Sequence, residues 1–283
     1  MALSIAIIGA GRLGRTLAEA LAAQGEAVVA VAGRSLPLEL AARLPGCRAL
    51  APAAAAASAE LVLLTVPDDA IAPLAAALPW RSGQAVVHCS GATELSALAA
   101  PAAAGARVGG FHPLQIFSDP ARAAALLPGS AVAIEAEAPL QDELQRLARL
   151  LGMRPLSLPP GSRAAYHGAA SFAASFLLSM LDEAVQVWAA IGLPQDLALD
   201  ALMPLAQGTL QAAQSRGLAG ALAGPISRGD AGAVAAHLRA LDTLGGAHGV
   251  FYRELSRRQL ALARASGRLD EAALQRLAAL LER

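Results

Sequence analysis

Gly9, Gly11 and Gly14 stand at GxGxxG spacing within Gly9-Ala10-Gly11-Arg12-Leu13-Gly14. Glycine at the first position permits a tight turn. At the second it lets a pyrophosphate approach bare backbone, and at the third it lets a helix pack close against a sheet. The spacing alone is weak evidence, but its surroundings strengthen it. Leu3 to Ile8 is an apolar run before the glycines, and an Ala/Leu-rich stretch follows to Gln24. A second apolar run, Ala27 to Ala32, ends in Gly33-Arg34-Ser35. Strand, glycine turn, helix and strand in that order make a dinucleotide site, with phosphates facing the free N–H groups of the first helical turn. An unphosphorylated ribose usually meets an Asp or Glu at the end of the second strand. Here Arg34 can pair with a 2′-phosphate and Ser35 can donate a hydrogen bond. The expected cofactor is therefore NADP(H), held by Gly9, Ala10, Gly11, Arg12, Leu13, Gly14, Gly33, Arg34 and Ser35.

Three later strand ends carry polar residues, on the side where a doubly wound sheet places its ligands. The turn Thr65-Val66-Pro67 is expected near the nicotinamide, and Asp68 after it either serves the site or caps a helix. Ser90, in His88-Cys89-Ser90-Gly91, can bond the carboxamide or a substrate; Cys89 reads as a small buried residue. His112, fixed by Pro113, can exchange a proton with a carbonyl or imine centre as hydride moves. His167, Ser171 and Ser175 follow at intervals of four, which puts them on one helical face. His167 is the second acid/base candidate, and Ser175 is a candidate for positioning substrate. Arg228, in Gly224-Pro225-Ile226-Ser227-Arg228-Gly229-Asp230, can grip a carboxylate, and Asp230 can cap the helix after it. The five histidines lack metal-ligand spacing, so no metal is expected.

These residues need a scaffold, and alternating strands and helices supply one. Apolar runs at Leu61 to Val66, Ala85 to His88, Arg107 to Phe111, Ala131 to Glu135 and Arg154 to Leu158 predict strands. Leucines at 140, 144, 147 and 151 predict a helix between the last two. The fold class is α/β, a Rossmann-type doubly wound, mostly parallel sheet followed by an all-helical C-terminal domain. Pro159-Pro160-Gly161 marks the boundary, giving a nucleotide domain at 1–158 and a helical substrate and dimerisation domain at 159–283. Ser162 to Ile191 reads as one long helix. Its apolar core, Gly168 to Leu181, is too short to span a bilayer and is expected to be buried.

The chain has 283 residues and no net charge, and all 22 of its Lys+Arg residues are arginines. No basic stripe points to nucleic acid. Two cysteines and no cleavable leader pattern predict a cytoplasmic protein. With no lysine and no asparagine, Schiff-base chemistry on the protein is excluded.

Taken in order, the motifs resemble the bacterial family of oxidoreductases with a Rossmann-like NADP-binding domain and a C-terminal helical domain of unknown function. They are Gly9 to Gly14, Gly33-Arg34-Ser35, Thr65-Val66-Pro67-Asp68, His88-Cys89-Ser90-Gly91, Phe111-His112-Pro113-Leu114-Gln115, Tyr166-His167-Gly168-Ala169-Ala170 and Gly224 to Asp230. The chain is more distantly similar to pyrroline-5-carboxylate reductase, ketopantoate reductase and the 3-hydroxyacid dehydrogenases. His112-Pro113 also resembles the His-Pro motif of prephenate dehydrogenases, whose histidine contacts the substrate hydroxyl. The resemblance implies hydride transfer with a small carbonyl, imine or alcohol, and a homodimer formed through the helical domain. The lysine and asparagine that hydroxyacid dehydrogenases carry on the interdomain helix are absent; His167 and Ser171 or Ser175 stand on the comparable helix. Two other expectations stay open: hydride exchange between NADP and a deazaflavin, and a non-catalytic NADP(H) sensor or scaffold.

Overall fold

A computed structural model describes residues 3–118 and 120–282. The chain divides into two compact units, Met1–Phe172 and Ala173–Arg283.

The first unit alternates strands and helices: β1 (Ile5–Ile8), α1 (Arg12–Ala23), β2 (Val28–Ala32), α2 (Leu38–Ala42), β3 (Arg48–Ala49), α3 (Pro52–Ala57), β4 (Leu61–Leu64) and α4 (Asp68–Ala77). It continues through β5 (Ala85–His88), α5 (Ala99–Ala103), β6 (Arg107–Leu114), α6 (Pro120–Leu126), β7 (Ala131–Ala136), α7 (Leu140–Leu150), β8 (Arg154–Ser157) and α8 (Arg163–Ala173). The strands form one eight-stranded sheet in the order β3-β2-β1-β4-β5-β6-β7-β8. Every pairing is parallel except β6 with β7. Strands β1, β4 and β5 are wholly buried, as expected of parallel strands covered on both faces. Side chains alternate between two cores. Ile5, Ile7, Leu63 and Val87 pack on one face, and Ala6, Ile8, Val62, Leu64 and Val86 on the other. The order reverses between β1 and β4, so their ends diverge into a crevice.

Within this unit, two details of the sheet differ from the sequence expectation. Strand β6 runs on to Leu114, so His112 lies within a strand, opposite Ala133 on β7. The two-residue β3 pairs with β2, and its polar edge position hid it.

The second unit is helical: α9 (Ser175–Ala190), α10 (Gln195–Ala221), α11 (Pro225–Arg228), α12 (Ala231–Leu244), α13 (His248–Ala265) and α14 (Glu271–Leu281). Its core gathers Ile226, Val234, Leu238, Ala263, Leu274, Leu277 and Leu281. Asp230 caps α12, its Oδ1 accepting from Ala233 N–H at 2.9 Å. The expected single helix from Ser162 to Ile191 is broken at Ala174 (φ −120°, ψ −90°), between α8 and α9. The expectation that its apolar stretch is buried also fails. No residue of α9 is buried, and α10 buries only Ala198. By length and composition, Arg163–Ala190 is long and apolar enough to cross a membrane, with a hydropathy of 1.2.

Candidate functional site

The glycine turn sits in the crevice between β1 and β4. Gly9 has φ +120°, and a Cβ there would lie 2.6 Å from the carbonyl of Thr65. A Cβ on Gly14 would lie 2.0 Å from Gly9 O and 2.6 Å from Thr65 Oγ1. Thr65 Oγ1 in turn donates to Gly9 O at 2.7 Å, tying the end of β4 to the turn. Gly11 faces open space. The cradle therefore has backbone packed tightly beneath it and room above it. No side chain caps the start of α1, whose first N–H groups can serve an anion.

A cavity of about 990 Å³ opens from this turn. Gly9, Ala10, Gly11, Gly33, Arg34, Ser35, Thr65, Val66 and Pro67 all line it, a set assembled from three strand ends. Arg12, Leu13 and Gly14, three residues of the first turn of α1, do not line it. Arg15 does, and sequence reasoning missed it. One turn beyond Gly11, its Nε donates to Ala10 O at 3.1 Å. The i,i+4 spacing from Gly11 was the available signal. The open space at Gly11, the uncapped helix and the exposed Arg34 fit a phosphorylated dinucleotide.

A second cluster forms where β5, β6 and α8 meet. His112 Nδ1 and Tyr166 Oη are 3.1 Å apart, with the rings edge to face. His167 also meets His112 edge to face, their ring centroids 5.8 Å apart. Both imidazoles stand over Gly91, where a Cβ would lie 2.5 Å from His167 Cδ2 and 3.0 Å from His112 Nε2. Burial, with His167 and Arg163 adding to it, pushes the His112 pKa down to about 4, while Asp68 opposes the shift. His88 behind it is wholly buried and driven down to about 3, mainly by desolvation. Both rings are thus neutral at pH 7. Tyr166, half-buried, is held above its usual value by burial.

The remaining candidates are less convergent. The Ser90 hydroxyl is committed to its own turn, accepting from the N–H groups of Ala92 and Thr93 and donating to Thr93 Oγ1. Burial pushes the Cys89 thiol up to about 12, which removes it as a nucleophile. Asp68 opens α4 without capping it. The break at Ala174 interrupts the file from Ser171 to Ser175, so Ser175 begins α9 in the second unit. Arg228 is exposed on α11. Among the described residues, no group of His, Cys, Asp or Glu could hold a metal ion.

Comparison with known proteins also gives two segments, the second of which begins inside the first unit. Residues 1–113 match the Rossmann-like domain, and residues 130–259 match a domain of unknown function, DUF2520. No curated protein matches the chain. Among solved structures, a protein of Bacteroides fragilis assigned as an NADP oxidoreductase is 25% identical. It has a TM-score of 0.71 over 91% of this chain and 97% of its own. A Thermotoga maritima protein is 22% identical, with a TM-score of 0.77 over 93% of this chain and 100% of its own. A reductive aminase of Aspergillus terreus, in complex with NADPH and ethyl-5-oxohexanoate, is 17% identical. Its TM-score is 0.68 over 97% of this chain and 98% of its own.

Proposed function

We propose that this chain, a member of the family that joins a Rossmann-like domain to the domain of unknown function DUF2520, is an NADP(H)-dependent oxidoreductase acting on a small carbonyl, imine or alcohol. One observation carries the reading. A dinucleotide cradle and a cluster of His112, Tyr166 and His167 lie at the same ends of one sheet. The NADPH in the reductive aminase supports the choice of cofactor. When bound, that cofactor supplies a hydride donor or acceptor.

The chain's own residues do the rest. The uncapped start of α1 takes the pyrophosphate, Arg34 and Ser35 take the 2′-phosphate, and Thr65 to Pro67 border the nicotinamide. With Tyr166 O–H donating to His112 Nδ1, the imidazole proton sits on Nε2. Neutral His112 then donates a hydrogen bond to substrate oxygen rather than acting as a ready imidazolium. His167 is the second donor. Ser90 shapes the site through its turn. Ser175 and Arg228, on the helical unit, are candidates to hold substrate. Neutral His112 can donate to a carbonyl oxygen but is a poor acid for protonating an imine nitrogen, which puts carbonyl chemistry ahead of imine chemistry.

A homodimer covers the exposed leucines of α9 and α10, among them Leu178, Leu197, Leu205 and Leu210. This reading replaces a bilayer with a second copy as the cover for those faces. The free cysteines Cys47 and Cys89 fit a reducing cytoplasm.

NADPH oxidation with matched small ketones and cyclic imines tests the reading. Ketone turnover at least about tenfold above imine turnover is expected. Faster imine turnover would instead align the enzyme with reductive aminases.

A further inference from the structure

Arg163 is the largest fully buried side chain of the molecule's described residues. Arginine is rarely buried so completely, and a buried ion pair adds little net stability over an apolar substitute. Its contacts suggest another use. Nε donates to Glu135 Oε2 at 2.5 Å, and Nη1 donates to Ser90 O at 2.9 Å. Its backbone N–H donates to Glu94 Oε1 at 3.1 Å. Glu135 on β7 lies in register with Gly110 on β6. A Cβ on Gly110 would lie 1.7 Å from Arg163 Nη2 and 2.5 Å from its Cζ, so only glycine admits the guanidinium here. Gly110 is two residues before His112. Arg163 itself is three and four residues before Tyr166 and His167, one turn down the same helix.

One side chain thus touches the loop after β5, strands β6 and β7, and the helix that carries Tyr166 and His167. We propose that Arg163 is the positioning residue of this site. It clamps α8 to the ends of β5 and β6, so that Tyr166 meets His112 Nδ1 and both imidazoles stand over Gly91. What the clamp serves rests on the oxidoreductase reading, but the clamp itself is measurable without cofactor or substrate.

The groups facing His112 are His88 on β5, Asp68 on α4, and Arg163, Tyr166 and His167 on α8. Arg163 is the fixed cation among them, paired with Glu135 of β7, and it adds to a depression of His88 and His112 that burial dominates.

The test is nuclear magnetic resonance of the full-length protein carrying 13C,15N-labelled histidine, free of cofactor. Wild type is compared with Arg163→Lys and with the pair Arg163→Met plus Glu135→Leu. The pair avoids leaving a buried carboxylate alone. Wild-type His112 is expected to be neutral, with its proton on Nε2 and its midpoint near 4. In the paired variant the Nδ1 shift loses its hydrogen-bonded signature, while the midpoint stays low because burial, the main cause of the depression, remains. Arg163→Lys keeps the charge but loses the fork, so its midpoint stays low while the Nδ1 signature is lost. A folded paired variant that keeps the wild-type Nδ1 signature and tautomer overturns the proposal. Should the paired variant fail to fold, an unchanged Nδ1 signature in Arg163→Lys overturns it instead, and its loss supports it. NADPH titration of the same samples separates the two ideas. Wild-type protein that binds no NADPH counts against the oxidoreductase reading, and leaves the His112 result to decide the clamp.

Discussion

In the proposed reaction the chemistry turns on His112, and the environment of that residue changes what it can do. A histidine with its pKa near 4 is charged in only about one molecule in a thousand at pH 7. The proposal therefore casts it as a neutral donor, and under that proposal carbonyl reduction should show no inflection near 6.5. A pH–rate profile from 5 to 8 checks this; a limb centred near 6.5 would contradict it. His112→Ala should lower kcat by about 100-fold or more with a productive substrate, measured by steady-state kinetics. The same depressed histidines make stability pH-dependent. His88 and His112 bind protons more readily unfolded than folded, so their contribution is full above about 6.5 and falls as pH drops toward 4 and 3. Thermal melts should show stability falling by about 1.4 kcal/mol per pH unit for each in that window. His88→Gln should flatten the slope. His112 was legible in the sequence because His-Pro follows an apolar run. Its partner was not: Tyr166 lies 54 residues away, and nothing local announces the hydrogen bond. Arg163 and Glu135 were invisible for the same reason, with a buried pair separated by 28 residues.

At the scale of elements, the geometry of the glycine turn was legible because Gly9 and Gly14 have local causes, whereas Arg15 was not. Gly9 needs a positive φ, and Gly14 needs to bring α1 against β1 and β4. Gly14→Ala should destabilise the protein by about 2 kcal/mol or more and abolish nucleotide binding, because the Cβ meets backbone that cannot yield. Denaturant unfolding with a parallel NADPH titration checks both. The α8–α9 break was not legible. Hydrophobic periodicity runs straight through Ala173 and Ala174, and small residues tolerate either a kink or a continuous helix. The extension of β6 past His112 was hidden by Pro113, a residue that ordinarily argues against a strand interior.

At the scale of the molecule, sequence and structure agree on a Rossmann-type sheet followed by helices, matched by the two domain models. They part over where the apolar surface goes. Helical composition predicted burial of the long apolar helix, but the chain alone leaves α9 bare. Periodicity reports that a face is apolar without saying what covers it. If a second copy does, sedimentation should give a dimer. Leu178→Glu with Leu205→Glu should yield a folded monomer, since exposed substitutions change the stability of a single chain by only about 0.5 kcal/mol. A wild-type monomer would count against this cover. Every proposed step requires the cradle between β1 and β4 to hold NADP(H), and a fluorescence titration of wild type and Arg34→Ala with NADPH and NADH tests this most directly. Wild type should bind NADPH at least about tenfold more tightly than NADH, with that preference lost in Arg34→Ala. Binding of neither nucleotide at millimolar concentration would contradict the account.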